Sequence, residues 1–293
     1  SVMKKILVTG GSGFIGLNFI GAYKKKYDIV SPVPEETDLT RYDDVKKLFE
    51  SARFDAVIHI AGMRDIMSDA ALYADDLLAF KNVQYASVLN GVKKLLVVGD
   101  ASDLDTSRSL ENANENVFGE SVPVAGYGLG RYLIHKLASK DKISTVLRFF
   151  DVYGAGASVE EGHPLEILSH AIVGKKQIEV PANKTFSTIY IDDACKIVSL
   201  FIDNDYEKGI YNVASPVPIK LGDFAKKAKS YAKKDGRELS VSVGEENGIF
   251  TADVSKLLDA LGSFKFTAHS TGITKTLDYC KSHKSLLKPK EVK

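Results

Sequence analysis

Ile6-Leu7-Val8-Thr9-Gly10-Gly11-Ser12-Gly13-Phe14-Ile15-Gly16 decides the fold. Three apolar residues feed a glycine turn, and the turn opens a helical run from Phe14 to Tyr27. Strand, glycine turn and helix in that order form a dinucleotide-binding loop. Gly10 makes the tight turn, Gly13 lets the backbone approach a pyrophosphate, and Gly16 lets the helix pack close to the strand. Unpaired N–H groups and a partial positive charge at the helix start then face the phosphates, with Phe14 and Ile15 beside them. The same glycines could serve a plain structural turn. The chain that follows argues for the ligand.

Downstream, short apolar runs alternate with amphipathic stretches. Strands are expected at Ile29-Val30, Ala56–Ile60, Leu95–Val98 and Thr145–Leu147, and helices at 43–51, 69–89 and 127–139. This rhythm predicts an α/β chain: a Rossmann-type doubly wound parallel sheet covered on both faces. After Tyr153 the rhythm loosens. Helices are expected at 164–173, 193–201 and 221–234, and strands at 188–191 and 210–212. The division is thus residues 1–153 for the dinucleotide and 154–293 for a smaller C-terminal α/β substrate lobe, part of which returns to the first sheet.

The 293 residues are 44% hydrophobic and 26% charged, with a formal net charge of +1. That balance fits a soluble globular protein and argues against nucleic acid or an anionic membrane as partner. The lysine runs at 24–26, 226–229 and 233–234 fall in helical patterns and read as solvated faces. Cys195 and Cys280 are too few for a disulfide framework and read as reduced thiols, so a cytoplasmic location is the default. No apolar run approaches transmembrane length. The six histidines show no metal-ligand spacing, and His59 reads as a core residue on a buried strand. No metal is expected. Asn183-Lys184-Thr185 is formally a glycosylation sequon. The second strand ends in Ser31-Pro32-Val33-Pro34, with Glu35 and Glu36 just beyond and no arginine, so NAD and NADP both stay open.

Several motifs together resemble the extended short-chain dehydrogenases/reductases, NAD(P)-dependent sugar-nucleotide epimerases, dehydratases and reductases. These are residues 9–16, Asp38-Leu39-Thr40, Phe54 to Gly62, Asn82-Val83, Arg148 to Gly154, Tyr190 to Asp193, Ile210 to Val213 and Thr251 to Lys256. The resemblance implies that Asp38 and Leu39 lie near the adenine and Ala61-Gly62 near the cofactor ribose. It also suggests a homodimer through the helices around 69–89 and 127–139.

Members of this family place a tyrosine and a lysine four residues apart on one helix face, with a serine or threonine from the preceding strand end. The lysine tunes the tyrosine and holds the ribose, and the tyrosine moves a proton as the cofactor moves a hydride. Here Tyr127 is present, and Arg131 stands where the lysine is expected. Arginine keeps the charge but is a broad planar fork of different reach. The hydroxyl falls at Ala101 or Ser102, and Ser102 either orients a substrate oxygen or is a turn serine. Asp100 either binds a substrate hydroxyl or caps the next turn. Asp151 stands where the family often has asparagine, and Phe186-Ser187 where many members have arginine. Both changes weaken the case for a nucleotide-diphosphate sugar and leave room for a smaller substrate.

Two readings follow. The first is an NAD(P)-dependent epimerase, dehydratase or keto-reductase acting on a sugar or sugar-nucleotide, with Tyr127 as acid/base. The second is a dinucleotide-binding protein with lost or retuned catalysis, such as a redox sensor or assembly subunit.

Overall fold

The computed structural model describes residues 2–60, 62, 70–124, 126–157, 159 and 163–287. The first half runs β1 (Lys5–Thr9), α1 (Phe14–Tyr23), β2 (Asp28–Val30), α2 (Tyr42–Ser51), β3 (Ala56–Ile60), α3 (Ala70–Leu89), β4 (Leu95–Asp100), β5 (Leu110–Ala113), α4 (Gly126–Ala138), β6 (Ser144–Phe149) and β7 (Val152–Tyr153). The second half adds α5 (Pro164–Val173), β8 (Gln177–Val180), β9 (Asn183–Phe186), β10 (Ile189–Tyr190), α6 (Ile191–Asp203), β11 (Gly209–Val213), β12 (Ile219–Lys220), α7 (Leu221–Lys234), β13 (Ser240–Val243), β14 (Glu246–Ala252), α8 (Ser255–Leu261) and α9 (His269–Ser282).

Six strands form one parallel sheet in the order β11-β6-β4-β3-β1-β2. Alternate side chains along each strand enter different cores, as the pleat dictates. Ile6, Val8, Ile58, Leu96, Val98 and Leu147 face a core shared with α1, α6 and the C-terminal helices. Leu7, Val57, Leu95, Val97 and Val146 face a second core under α2, α3 and α4. The strands are therefore apolar on both faces, which is why they read as continuous runs.

β1 lies between β2 and β3, so the chain reverses its direction of travel across the sheet there. In such sheets ligands bind beyond the carboxyl ends of the strands at the reversal. The second half sends β11 back to pair with β6 and builds a separate four-stranded sheet, β12-β9-β14-β5. β5 brings the first half into that smaller sheet.

Some boundaries differ from expectation. α1 ends at Tyr23 rather than Tyr27. The chain leaves the helix so that Tyr27 can be buried, its ring stacked on Phe19 and its hydroxyl against Ser199. The strand expected over 188–191 is cut to two residues, because Ile191 already begins α6. The sequon asparagine, Asn183, is buried, and its carbonyl accepts the Gly222 N–H.

Candidate active site

Gly10 follows β1 with φ +70, and a Cβ there would stand 3.0 Å from the Ile60 carbonyl at the end of β3. A Cβ on Gly16 would come within 2.4 Å of the Gly10 carbonyl. Glycine at these positions lets α1 sit directly against the loop. Gly13 caps α1 without a side chain, so the first N–H groups of the helix receive no side-chain cap from it. They open toward a cleft of about 510 Å³ lined by Gly10, Ser12, Gly13, Phe14 and Ile15 at one side and Gly62, Asp100 and Tyr127 at the other. Glycine backbone, free helix N–H groups and an apolar wall fit a dinucleotide, and a bound nicotinamide supplies hydride transfer there.

The other residues expected at the cofactor divide. Ala61 lies outside the described residues. Asp38 is exposed and does not line the cleft; its carboxylate accepts the Thr40 hydroxyl (2.6 Å) and N–H (2.9 Å), which hold it below its ordinary pKa. Leu39 packs against the second core, and its carbonyl accepts from Asn82 at 2.9 Å. This loop is thus tied to α3 rather than wrapped over the described cleft.

Arg131 is 1% exposed. One nitrogen, Nη2, donates to Asp76 of α3 at 2.9 Å, and the guanidinium lies 5.0 Å from the centre of the Tyr127 ring. Nε and Nη1 are buried with no hydrogen-bond partner among the described residues. Asp76 crowds the cleft wall, since a Cβ on Gly62 would touch its carboxylate. The expected ribose-binding cation is therefore an ion pair under the tyrosine, because arginine's reach takes it to α3. His59 nearby is 4% exposed, its Nδ1 2.9 Å from the Thr9 hydroxyl. Burial, with the Arg131 charge, pushes its pKa down to about 3, so the ring is neutral.

The Tyr127 hydroxyl meets Asp100. Tyr127 Oη donates to Asp100 Oδ2 at 2.5 Å, while Asp100 Oδ1 accepts the Ser102 N–H at 2.9 Å. Ser102 Oγ is buried beside this carboxylate. β4 continues past its apolar run through Gly99 to Asp100, and this extension aims the carboxylate at α4. Burial works to raise the Asp100 pKa, but hydrogen bonds from Ser102 and Tyr127 and the Arg131 charge outweigh it, and the carboxyl stays below its ordinary value.

Next to the cleft lies a pocket of about 270 Å³. Asp100, Phe150, Asp151 and His163 line both spaces. Asp151 accepts the Thr188 hydroxyl at 2.6 Å and has His163 Nε2 at 3.6 Å. His163 Nδ1 accepts the Leu165 N–H, which leaves Nε2 to carry the proton. Ser102, Lys184, Phe186 and Phe250 complete much of the wall. At the positions where arginine is expected, Phe186 packs on Phe224 and Ser187 accepts the Ala252 N–H.

Beneath the site is a network the sequence did not announce. Asp103 Oδ2 accepts from Arg148 Nε (2.9 Å) and Nη2 (2.7 Å) and lies 2.7 Å from His135 Nδ1. Arg148 Nη1 donates to Asn212 of β11. All four residues are fully buried. The network ties the turn after β4 to α4, β6 and β11. Asp103, three residues beyond Asp100, was the available signal. Among the described residues no group of three or more His, Cys, Asp or Glu side chains could hold a metal ion.

The sequence profile of the NAD dependent epimerase/dehydratase family matches residues 6–214. The chain belongs to this family. It is an NAD(P)-dependent enzyme of the extended short-chain dehydrogenase/reductase type. It is 26% identical over 225 residues to GDP-6-deoxy-D-talose 4-dehydrogenase of Aggregatibacter actinomycetemcomitans, covering 73% of this chain and 75% of that one. It is 24% identical over 264 residues to ADP-L-glycero-D-manno-heptose-6-epimerase of Cupriavidus pinatubonensis, covering 75% and 76%. A GDP-L-fucose synthetase from Naegleria fowleri bound to NADP shares the family fold with a TM-score of 0.82 at 18% identity, over 97% of this chain and 95% of that one.

Proposed function

We propose that this family member interconverts the hydroxyl and keto forms of a sugar carbon on a nucleotide-linked sugar, as an epimerase or reductase with Tyr127 as acid/base. The observation that carries this reading is the shared wall: Tyr127 and Asp100 meet where the dinucleotide cleft opens into the second pocket. A sugar carbon placed there has a phenol for its oxygen and the nicotinamide side of the cleft for its hydrogen. The relatives' GDP- and ADP-linked sugars support this substrate class. Lys184 is the cation on the pocket wall available to an anionic substituent. Glycines 10, 13 and 16, the start of α1, Asp38, Leu39, Ala61 and Gly62 are assigned to the cofactor half, NAD or NADP. In this division residues 1–153 hold the cofactor and also lend Asp100, Ser102, Phe150 and Asp151 to the substrate pocket, and 154–293 supply the rest of its wall.

The test is a panel of GDP-, ADP-, UDP- and dTDP-hexoses with each oxidised and reduced dinucleotide. Turnover is followed by absorbance at the nicotinamide band and by NMR of the sugar. Tyr127→Phe is expected to lose about 10²–10⁴-fold in kcat while dinucleotide affinity survives. Unchanged turnover in that variant would remove Tyr127 from the chemistry.

A second reading has one observation behind it. Arg131 is committed to Asp76, which favours a dinucleotide-binding protein whose catalysis is lost or retuned. Arg131→Lys separates the two. Gained turnover marks a retuned enzyme, and lost turnover gives the guanidinium its own task.

We assign the protein to the cytoplasm, on the support of Cys195 and Cys280, which are buried, unpaired thiols held protonated by burial. Among the described residues no helix is long and apolar enough to cross a membrane. A homodimer is supported by exposed Leu78, Tyr85, Val88 and Leu89 on α3, beside Leu137 on α4.

A further inference from the structure

The two oxygens of Asp100 have different tasks. Oδ1 caps the turn after β4 through the Ser102 N–H, and Oδ2 takes the Tyr127 hydroxyl at 2.5 Å. The cap needs only one oxygen, and serine or asparagine would supply it equally well. The second oxygen is the unusual one, because it gives the Tyr127 hydroxyl a proton acceptor. Asp100 also lines both the dinucleotide cleft and the adjoining pocket.

We propose that Asp100 is the terminal proton acceptor of the site: when a substrate alcohol is oxidised, its hydroxyl proton passes to Tyr127 Oη while the Tyr127 proton passes to Asp100 Oδ2. This rests on the hydroxyl–keto chemistry proposed above. One O–H bond breaks at the substrate and one at Tyr127, and one forms at Tyr127 and one at Asp100. The C–H electron pair leaves as hydride to the oxidised dinucleotide, and the alcohol becomes a ketone. Asp100 acts through Tyr127 and is a positioning residue with a proton-holding role.

A carboxylate held below its ordinary pKa is an adequate acceptor here. As the hydride leaves, the alcohol proton becomes far more acidic than a carboxylic acid, so the transfer runs downhill late in the step. Tyr127 and Arg131, both on α4, favour the ionised form of Asp100. Asp151 after β6, His163 before α5 and Lys184 of β9 line the adjoining pocket with it. Arg131 shares its charge with Asp76. The consequence is that tyrosinate need not form before oxidation, and the rate is independent of pH where Asp100 is ionised.

Two measurements test this. The first needs no substrate. Tyrosinate absorbance of Tyr127 is isolated by subtracting the Tyr127→Phe variant, between about pH 7 and 12, with and without Asp100→Asn. A carboxylate accepting the phenol's hydrogen bond opposes its ionisation, so the Tyr127 midpoint should fall by about one pH unit or more in Asp100→Asn. Equal midpoints would overturn the proposal. Thermal melts of each variant establish that the compared proteins are folded. The second uses the sugar nucleotide that the panel identifies, in the oxidation direction. The wild-type rate should be flat from about pH 6 to 9, whereas Asp100→Asn and Asp100→Ser should climb about tenfold per pH unit up to the tyrosinate midpoint. A flat profile in either variant overturns the relay. If no sugar nucleotide is turned over, the proposed function fails, and the absorbance measurement still decides the Asp100–Tyr127 coupling.

Discussion

His59 contributes to stability only while it stays neutral. Its folded pKa of about 3 lies below the ordinary 6.5, so below pH 6.5 the unfolded chain takes up a proton that the folded chain refuses. The stability is fully present above pH 6.5 and is lost between there and about pH 3, by up to about 1.4 kcal/mol per pH unit. Melting temperatures of wild type and His59→Asn over pH 7 to 4 should converge as the pH falls. Parallel curves would mean that the ring is not excluded from protonation. The same scale explains what the sequence showed of the site. Tyr127 and the charge at Arg131 were legible through the resemblance to the extended short-chain dehydrogenases, whose tyrosine and cation stand four residues apart on one helix. Asp100 was visible as an oddity, but its orientation depends on how far β4 runs past its apolar residues, and a one-residue change turns a strand side chain to the other face. The direction of Arg131 was not legible at all, since it is set by Asp76, 55 positions away on another helix.

At the element scale, the close seating of α1 on its loop makes a firm prediction. Gly16→Ala puts a methyl group 2.4 Å from the Gly10 carbonyl and must push the helix outward. The expected cost is about 1–3 kcal/mol in denaturant melts. Dinucleotide affinity, followed by nicotinamide fluorescence, should fall at least about tenfold, because the phosphate-facing N–H groups move with the helix. The Asp103 network makes a second. Asp103→Asn leaves the buried Arg148 charge without its counter-ion, at a cost of about 3–5 kcal/mol, whereas the exposed pair Lys46–Glu50 can be broken with almost no change. Helices with punctuation were legible to the residue. α5 has proline at its first position and a left-handed Gly174 after its last, and its limits match expectation. β8, β9, β13 and β14 had no such marks. β8 pairs in parallel with β13 and β9 with β14, so no hairpin turn announces these pairings; β8, β9 and β13 have only four residues each, and the register of β14 is broken by irregularities.

For the whole molecule, the exposed side chains of α3 are expected to be covered by a second copy. Sedimentation should show a dimer, and Tyr85→Glu with Val88→Glu should give a folded monomer. A wild-type monomer at micromolar concentration would end that expectation. The parallel sheet as an architecture was readable from the alternation of strands and helices, but the reach of the second half into it was not fixed by any local signal. β11 pairs with β6 along its whole length, and Asn212 within it closes the Arg148 network. This pairing has a consequence during synthesis. A nascent chain that has left the ribosome only as far as β6 carries a sheet with an open, apolar edge and a buried arginine lacking one partner. Some sixty further residues must emerge before β11 covers that edge, so the growing chain is most exposed to aggregation, and most in need of chaperones, in that interval.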